Sequence, residues 1–268
     1  MKLARFISDH NTICYGVIES PEAKKAILVH GDIWGNFSVG TETVAVRKLL
    51  APVVPPNIIG IGLNYARHAD ETGVSYPDIP VMFLKGTNTV IADGEPVVLP
   101  AAGVGEVDYE AELAVIIGKT AKNVRPEQAL DYVLGYCCAN DVSEREWQKN
   151  KQKKQWARGK SFDTFCPLGP WIVTRDEIAD PNRLAIRTEI NGVVFQSSST
   201  ADMIFPVSAL ISNLSQSMTL LPGTVILTGT PEGVGFTRTP PVFLKKGDTV
   251  SVIIENIGTL TNPVIEEE

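Results

Sequence analysis

A chain of 268 residues with 44% hydrophobic and 21% charged positions has the balance of an ordinary globular protein, and it is long enough for one large domain with a small appendage. Its 24 Lys and Arg against 31 Asp and Glu leave a net charge of −7, so no whole-molecule basic field exists to draw it to nucleic acid or to an anionic membrane. The opening residues, MKLARFISDHNTICYGV, lack the apolar core of a signal peptide, and no later apolar run reaches the roughly 20 residues of a membrane span, so a cytoplasmic location is expected.

Along the first fifty residues, short strand-like pieces (ICYGVIE, KAILVHG) alternate with turn residues and end in LLAPVVPPN. Pro52, Pro55 and Pro56 mark a boundary, which divides the chain into a small β-containing N-terminal domain, 1–54, and a larger domain, 55–268. Beyond it β-branched runs dominate: NIIGIGLNY, PVMFLKG, PVVLP, AELAVIIG, PWIVT, LAIRTEING, GTVILTG and DTVSVIIENIGTLTNPV. EINGVVF reads as a hairpin turning at Asn191-Gly192. Helical spacing is confined chiefly to RPEQALDYVLGY, SEREWQKNKQ (143–152) and FPVSALISNLSQSM. The expected fold is therefore α+β and β-rich. GIGLNY lacks the third glycine of a dinucleotide fingerprint, since Tyr65 stands there, and GTPEGVG lacks the Lys-Ser/Thr end of a phosphate loop. The four cysteines form no C-x-x-C pair and read as reduced, mostly buried thiols.

The informative acids lie in VDYEAELAVIIGK. Residues i and i+2 of a strand share a face roughly 6.6 Å apart, so Glu110 and Glu112 aim together. At an effective dielectric of about 20 the two charges repel by roughly 2.5 kcal/mol, so a buried face needs something positive in it. From the pair alone, a strand with its acidic side in water would serve as well. Asp141 follows the apolar run YVLGYCCANDV, and three acids from two segments suit a hard divalent cation, Mg²⁺ or Mn²⁺, with oxygen ligands.

Other candidates accompany these acids. His68 and Glu71 are three apart in YARHADETG, so on one helical turn the carboxylate can orient the imidazole; an exposed pair is the plainer alternative. QKNKQKKQWARGK gathers Lys149, Lys151, Lys153, Lys154, Arg158 and Lys160, either a solvated helix end or a means of drawing an anionic substrate toward the metal. TGTPEGVG is either a plain loop or a nest of backbone N–H groups for a substrate carboxylate.

In order along the chain, GLNYARHADETG, PVMFLKG, VDYEAELAVIIGK, LGYCCANDVSEREWQ, QWARGKSFDTFCPLGPW and ILTGTPEGVG together resemble the fumarylacetoacetate hydrolase (FAH) superfamily, over residues 55 to 265 or so. The resemblance implies an FAH-type mixed β-sandwich roll with a smaller N-terminal domain, commonly a homodimer. It also implies Mg²⁺ or Mn²⁺ on Glu110, Glu112 and Asp141, and a lid-borne catalytic dyad of His68 and Glu71. Lys160 would contact substrate or oxyanion, Gln148 the substrate, and Gly229 with Thr230 the substrate carboxylate. Asn64 stands where larger members carry an additional metal-binding Asp, which points to the small-enzyme branch of acylpyruvate hydrolases, oxaloacetate decarboxylases and unsaturated dioate isomerases. The implied activity is metal-dependent C–C cleavage of a small anionic 2-oxo acid, of acylpyruvate or oxaloacetate type, through a metal-stabilised pyruvate enolate. An isomerase acting on substrates like 2-hydroxyhepta-2,4-diene-1,7-dioate is the alternative, and a non-catalytic dicarboxylate-binding protein a third reading. Segment 64–80 is expected to form a lid that is mobile without ligand.

Overall fold

Every position of the run Ala111–Ile117 is buried in the computed structural model, which describes residues 1–268 except positions 21 and 104. A strand covered on both faces needs such a continuous apolar sequence. This strand lies antiparallel between Val133–Asn140 and Val225–Leu227, at the middle of an eleven-stranded sheet. On one side the sheet continues through Cys166–Thr174 and Lys2–Ser8 to Phe37–Leu50, Lys25–Gly31 and Ile13–Val17. On the other, Ile58–Gly62 runs parallel to Val225–Leu227, and Val81–Lys85 forms the edge. The strands of the first 54 residues thus extend the main sheet, with Leu3 opposite Ile172.

A second sheet of five strands has the order Val193–Ser199, Ala185–Ile190, Thr249–Ile254, Gly258–Glu266, Val97–Leu99. Leu113, Val115, Tyr136 and Trp171 of the large sheet share one apolar cluster with Ile186, Val252, Ile254 and Leu260 of the small one. The helix Val207–Ser217 adds Val207, Leu210, Ile211 and Leu214 to that cluster. Each such side chain contributes about 1.5–3 kcal/mol by leaving water. The fold is α+β and β-rich, a two-sheet sandwich. Its 190–193 turn carries Asn191 at φ 53° and Gly192 at φ 78°, the two positive values a type I′ hairpin requires.

Two expected helices are corrected. RPEQALDYVLGY divides into a 3₁₀ segment, Pro126–Tyr132, and the strand Val133–Asn140, because Val133, Tyr136 and Cys138 gain more by pairing into the sheet than by lining one helix face. SEREWQKNKQ begins as a strand, Ser143–Glu144 pairing with Val107–Asp108; a widened π-type turn, Trp147–Lys151, follows, and Trp156–Lys160 is a separate helix. All four cysteines are free, with Cys137, Cys138 and Cys166 buried. Burial pushes the Cys166 thiol up to about 12, so it is no nucleophile at neutral pH. Among the described residues no helix is long and apolar enough to cross a membrane.

Candidate active site

Pairing of the two central strands sets Ala111 opposite Asn140, and the Asp141 N–H donates to the Glu110 carbonyl at 2.9 Å. The acids flanking that register, Glu110, Glu112 and Asp141, therefore meet at one spot. One oxygen from each lies within 4.8 Å of the others. Glu112 is 2% exposed and Asp141 fully buried, so the water-facing alternative for this strand does not hold.

Three cations enter the cluster. Lys160 Nζ donates to Glu110 Oε2 at 2.8 Å, to Asp141 Oδ2 at 2.5 Å and to Ser143 Oγ at 2.8 Å. Lys85 Nζ donates to Asp141 Oδ1 at 2.6 Å and to the Val142 carbonyl at 3.1 Å. Arg145 Nη1 reaches Glu110 Oε1 at 2.7 Å and Gln148 Oε1 at 2.9 Å, while its Nε donates to Asp108 Oδ2 at 2.8 Å. Arg145 Nη2 is buried without a hydrogen-bond partner.

The balance of these charges tests the site for a metal. With all four carboxylates ionised, Asp108, Glu110, Glu112 and Asp141 outnumber the three cations Lys85, Arg145 and Lys160 by one charge. Burial alone would raise the Glu110 carboxyl, but Lys160 and Arg145 hold it down at about 2. Glu112 goes the other way: burial, then the charges of Asp141 and Glu110, push it well above the carboxylate range. Among the described residues its one hydrogen bond comes from the Gly229 N–H, at 2.7 Å. A buried oxygen set short of positive charge at Glu112 fits a hard divalent ion, which Glu110, Glu112 and Asp141 would hold.

His68 and Glu71 sit on the short helix Ala66–Thr72, closed by Gly73 in the left-handed conformation (φ 67°). His68 Nδ1 lies 3.2 Å from Glu71 Oε2. Glu71 also accepts from the Gly233 N–H, 3.0 Å from Oε1, and from Thr237 Oγ1 at 2.9 Å. Burial would raise the Glu71 carboxyl, but the hydrogen bonds from His68, Thr237 and Gly233 outweigh it and keep Glu71 below its usual value. With Nδ1–H turned to this carboxylate, Nε2 is the basic nitrogen of His68. Asn64, just before the helix, is a tether: its Nδ2 donates to the Thr228 and Phe205 carbonyls at 2.7 and 3.1 Å, and its Oδ1 accepts the Phe205 N–H at 2.8 Å.

Acids and imidazole line a single cavity of about 440 Å³, with Lys160, Arg145, Gln148 and Thr230 beside them and Ile61, Leu63, Val74, Phe83, Trp156 and Phe236 as its apolar wall. Of the residues expected from sequence, Glu110, Glu112, Asp141, His68, Lys160, Gln148 and Thr230 meet here. Glu71 stands behind His68, and the Gly229 amide serves Glu112. Gln196 fixes Thr230: Nε2 donates to Thr230 Oγ1 at 2.9 Å, while Oε1 accepts the Ala111 N–H at 2.9 Å. Of the basic island, Lys149 and Lys154 also line the cavity, whereas Lys151 and Arg158 lie against the Trp147 ring. Phe83 and Trp156 meet edge to face, centroids 6.1 Å apart, above Gly60 and Gly62, where an added Cβ would stand 2.1 Å from the Phe83 ring and 2.3 Å from the Trp156 ring. Sequence reasoning missed Lys85, Arg145, Asp108 and Gln196.

The model of the fumarylacetoacetate (FAA) hydrolase C-terminal family matches residues 57–265. The chain belongs to this family. Residues 1–52 match a second model, described as Rv2993c-like, N-terminal. Among FAH-family relatives, the oxaloacetate tautomerase fahd2, mitochondrial, of Xenopus laevis is 50% identical over 219 residues, covering 81% of this chain and 68% of that one. The human oxaloacetate tautomerase FAHD2A, mitochondrial, is 48% identical over 217 residues, with 81% and 69% covered. Among solved structures, 2-hydroxyhepta-2,4-diene-1,7-dioate isomerase from Mycobacterium marinum superposes with a TM-score of 0.85 at 40% identity, over 100% of this chain and 99% of that one. Fumarylacetoacetate hydrolase from Exiguobacterium antarcticum gives 0.86 at 38% identity, with both chains fully covered. These relatives mark the chain as an enzyme of the small FAH branch.

Proposed function

We propose that this protein moves a proton on a small 2-oxo dicarboxylic acid of the oxaloacetate type, interconverting its keto and enol forms. One observation carries the reading: a single cavity sets the Glu71-backed imidazole of His68 together with a buried cluster of acids and cations. The tautomerase and diene-dioate isomerase relatives support proton transfer, because both names describe a proton shifted along an intact carbon skeleton, while the Exiguobacterium antarcticum neighbour is named a hydrolase.

The chain's residues divide the work as follows. The unpartnered Nη2 of Arg145, with Gln148 and Thr230 beside it, receives a substrate carboxylate. His68 Nε2 takes a proton from C3, next to the 2-oxo group, and Glu71 stabilises the imidazolium that results. The Lys160 ammonium, held by Glu110 and Asp141, steadies the oxygen on which negative charge grows. The same proton then returns to that oxygen, giving the enol, or to carbon, giving the ketone, with no atom lost. A divalent ion held by Glu110, Glu112 and Asp141 supplies Lewis-acid polarisation of the 2-oxo group when bound. The apolar wall of Phe83, Trp156 and Phe236 keeps bulk water from the enolate.

Hydrolytic or decarboxylating cleavage is the second reading, supported by Lys160, whose ammonium could equally face the oxyanion of a distal carbonyl. The test follows enol absorbance and pyruvate release together, on oxaloacetate, acetylpyruvate and fumarylpyruvate, with Mg²⁺, Mn²⁺ or chelator. Faster enol–keto equilibration without pyruvate supports proton transfer. Pyruvate in step with substrate loss favours cleavage, and silence on all three compounds refutes both.

A further inference from the structure

The loop Gly233–Arg238 faces two carboxylates at once. Toward the dyad, the Gly233 N–H and Thr237 Oγ1 engage Glu71. Toward the acid cluster, the Gly235 and Phe236 N–H groups donate to Asp108 Oδ1 and Oδ2 at 2.8 and 3.1 Å, and Asp108 holds Arg145 in turn. Arg238 braces the loop from within: its Nε lies 3.2 Å from the Tyr109 hydroxyl, and its Nη2 donates to the Phe195 carbonyl. No side chain fits at 235, where a Cβ would stand 1.9 Å from the Val242 carbonyl oxygen. The loop is therefore a stiff bridge between the acid cluster and Glu71.

Within that bridge the Thr237 hydroxyl has one proton and two acceptors, Glu71 Oε1 and the Val234 carbonyl, both at 2.9 Å. The carboxylate is the stronger acceptor because it is charged. Occupying Oε1 turns Oε2 toward His68 Nδ1. Without that donor, the carboxylate keeps one amide, which reaches both of its oxygens at 3.0 and 3.2 Å and so distinguishes them weakly.

We infer that Thr237 is a positioning residue for this reaction: its hydroxyl fixes the rotation of the Glu71 carboxylate, and through it the tautomer and aim of the His68 imidazole. The inference rests on the reading of His68 and Glu71 as the proton-transfer pair. It goes beyond that reading by assigning the control of the pair to a side chain outside the cavity wall.

The test compares Thr237→Val, Thr237→Ser and His68→Ala in the metal-supplemented protein, on enol-oxaloacetate. Thr237→Val is expected to lower kcat about tenfold, the worth of one well-placed hydrogen bond, with KM changed by less than about twofold. Thr237→Ser restores kcat because it restores the hydroxyl. Nitrogen NMR of the imidazole should show one dominant His68 tautomer in the parent and in Thr237→Ser, and a mixture in Thr237→Val. An unchanged kcat in Thr237→Val, with kcat lowered about a hundredfold or more in His68→Ala, overturns the inference and leaves the proton-transfer reading standing. A lowered melting temperature with unaltered kcat and tautomer assigns the hydroxyl to the Val234 carbonyl alone, which also overturns it. Turnover at the parental rate in His68→Ala defeats the underlying reading itself.

Discussion

Asp141, fully buried at the end of a sheet strand, is gripped by the ammonium groups of Lys85 and Lys160, whereas Glu71, on a seven-residue helix with its side chain 24% exposed, depends on donors from its own helix and one loop. The first arrangement is bonded into the largest sheet of the molecule and cannot shift without uncovering charges. The second is anchored by three hydrogen bonds and a neighbouring asparagine tether. The difference is one of depth: the acid cluster is held by buried ion pairs within the sheet, whereas the His68–Glu71 pair is held by fewer, partly exposed hydrogen bonds.

The most forceful way to break this contrast is Asp141→Ala. It strands the buried Lys85 ammonium and takes one of two carboxylates from Lys160, so urea unfolding should show a loss of about 3–5 kcal/mol, together with no turnover on any 2-oxo acid. A loss near zero would mean that water reaches both lysines and that the cluster is not rigid. His68→Ala attacks the other half. A kcat lower by about 10²–10⁴ is expected, with Mn²⁺ affinity by calorimetry unchanged, because the imidazole is no part of the acid cluster.

Ion removal sharpens the comparison further. Saturation at about a hundredfold over Kd should add about 2.7 kcal/mol to unfolding, read as a rise in melting temperature that chelator reverses and Glu112→Gln largely removes. Equal metal-induced shifts in the parent and in Glu112→Gln would exclude Glu112 as a ligand. The smallest effect belongs to Glu71. Its folded value lies below the ordinary 4.5, so it contributes stability that is present above 4.5 and lost as pH falls through the folded value. Glu71→Gln should flatten the acid side of the melting-temperature profile by this amount, and an unaltered slope contradicts it.

Parts of this site were legible in the chain because local periodicity announces them. Glu110 and Glu112 interrupt an apolar run at strand spacing, and Asp141 closes another such run. Lys85 carried the same kind of signal, sharing a strand face with the buried Phe83, but a lysine at a strand end reads as a solvent-facing full stop. Arg145 fell inside a presumed helix, and its partner Asp108 lies 37 positions earlier, a distance over which spacing says nothing. The same blindness hid the joining of Lys2–Ser8 to Cys166–Thr174. Amides at 229, 233 and 235, which the sequence offers as a nest for a ligand, turn out to satisfy Glu112, Glu71 and Asp108. Which anion a nest holds depends on what the fold brings to it.

The bare backbone at Gly60 and Gly62 has a consequence for the shape of the chamber. The Phe83 and Trp156 rings rest where two methyl groups would otherwise be, so the width of the chamber is set by missing atoms beneath its wall. An alanine at either position would have to displace a ring, and is expected to change the discrimination among acids in a chain-length series of kcat/KM. A single methyl on this backbone can therefore reshape the chamber without touching any charged group of the cluster.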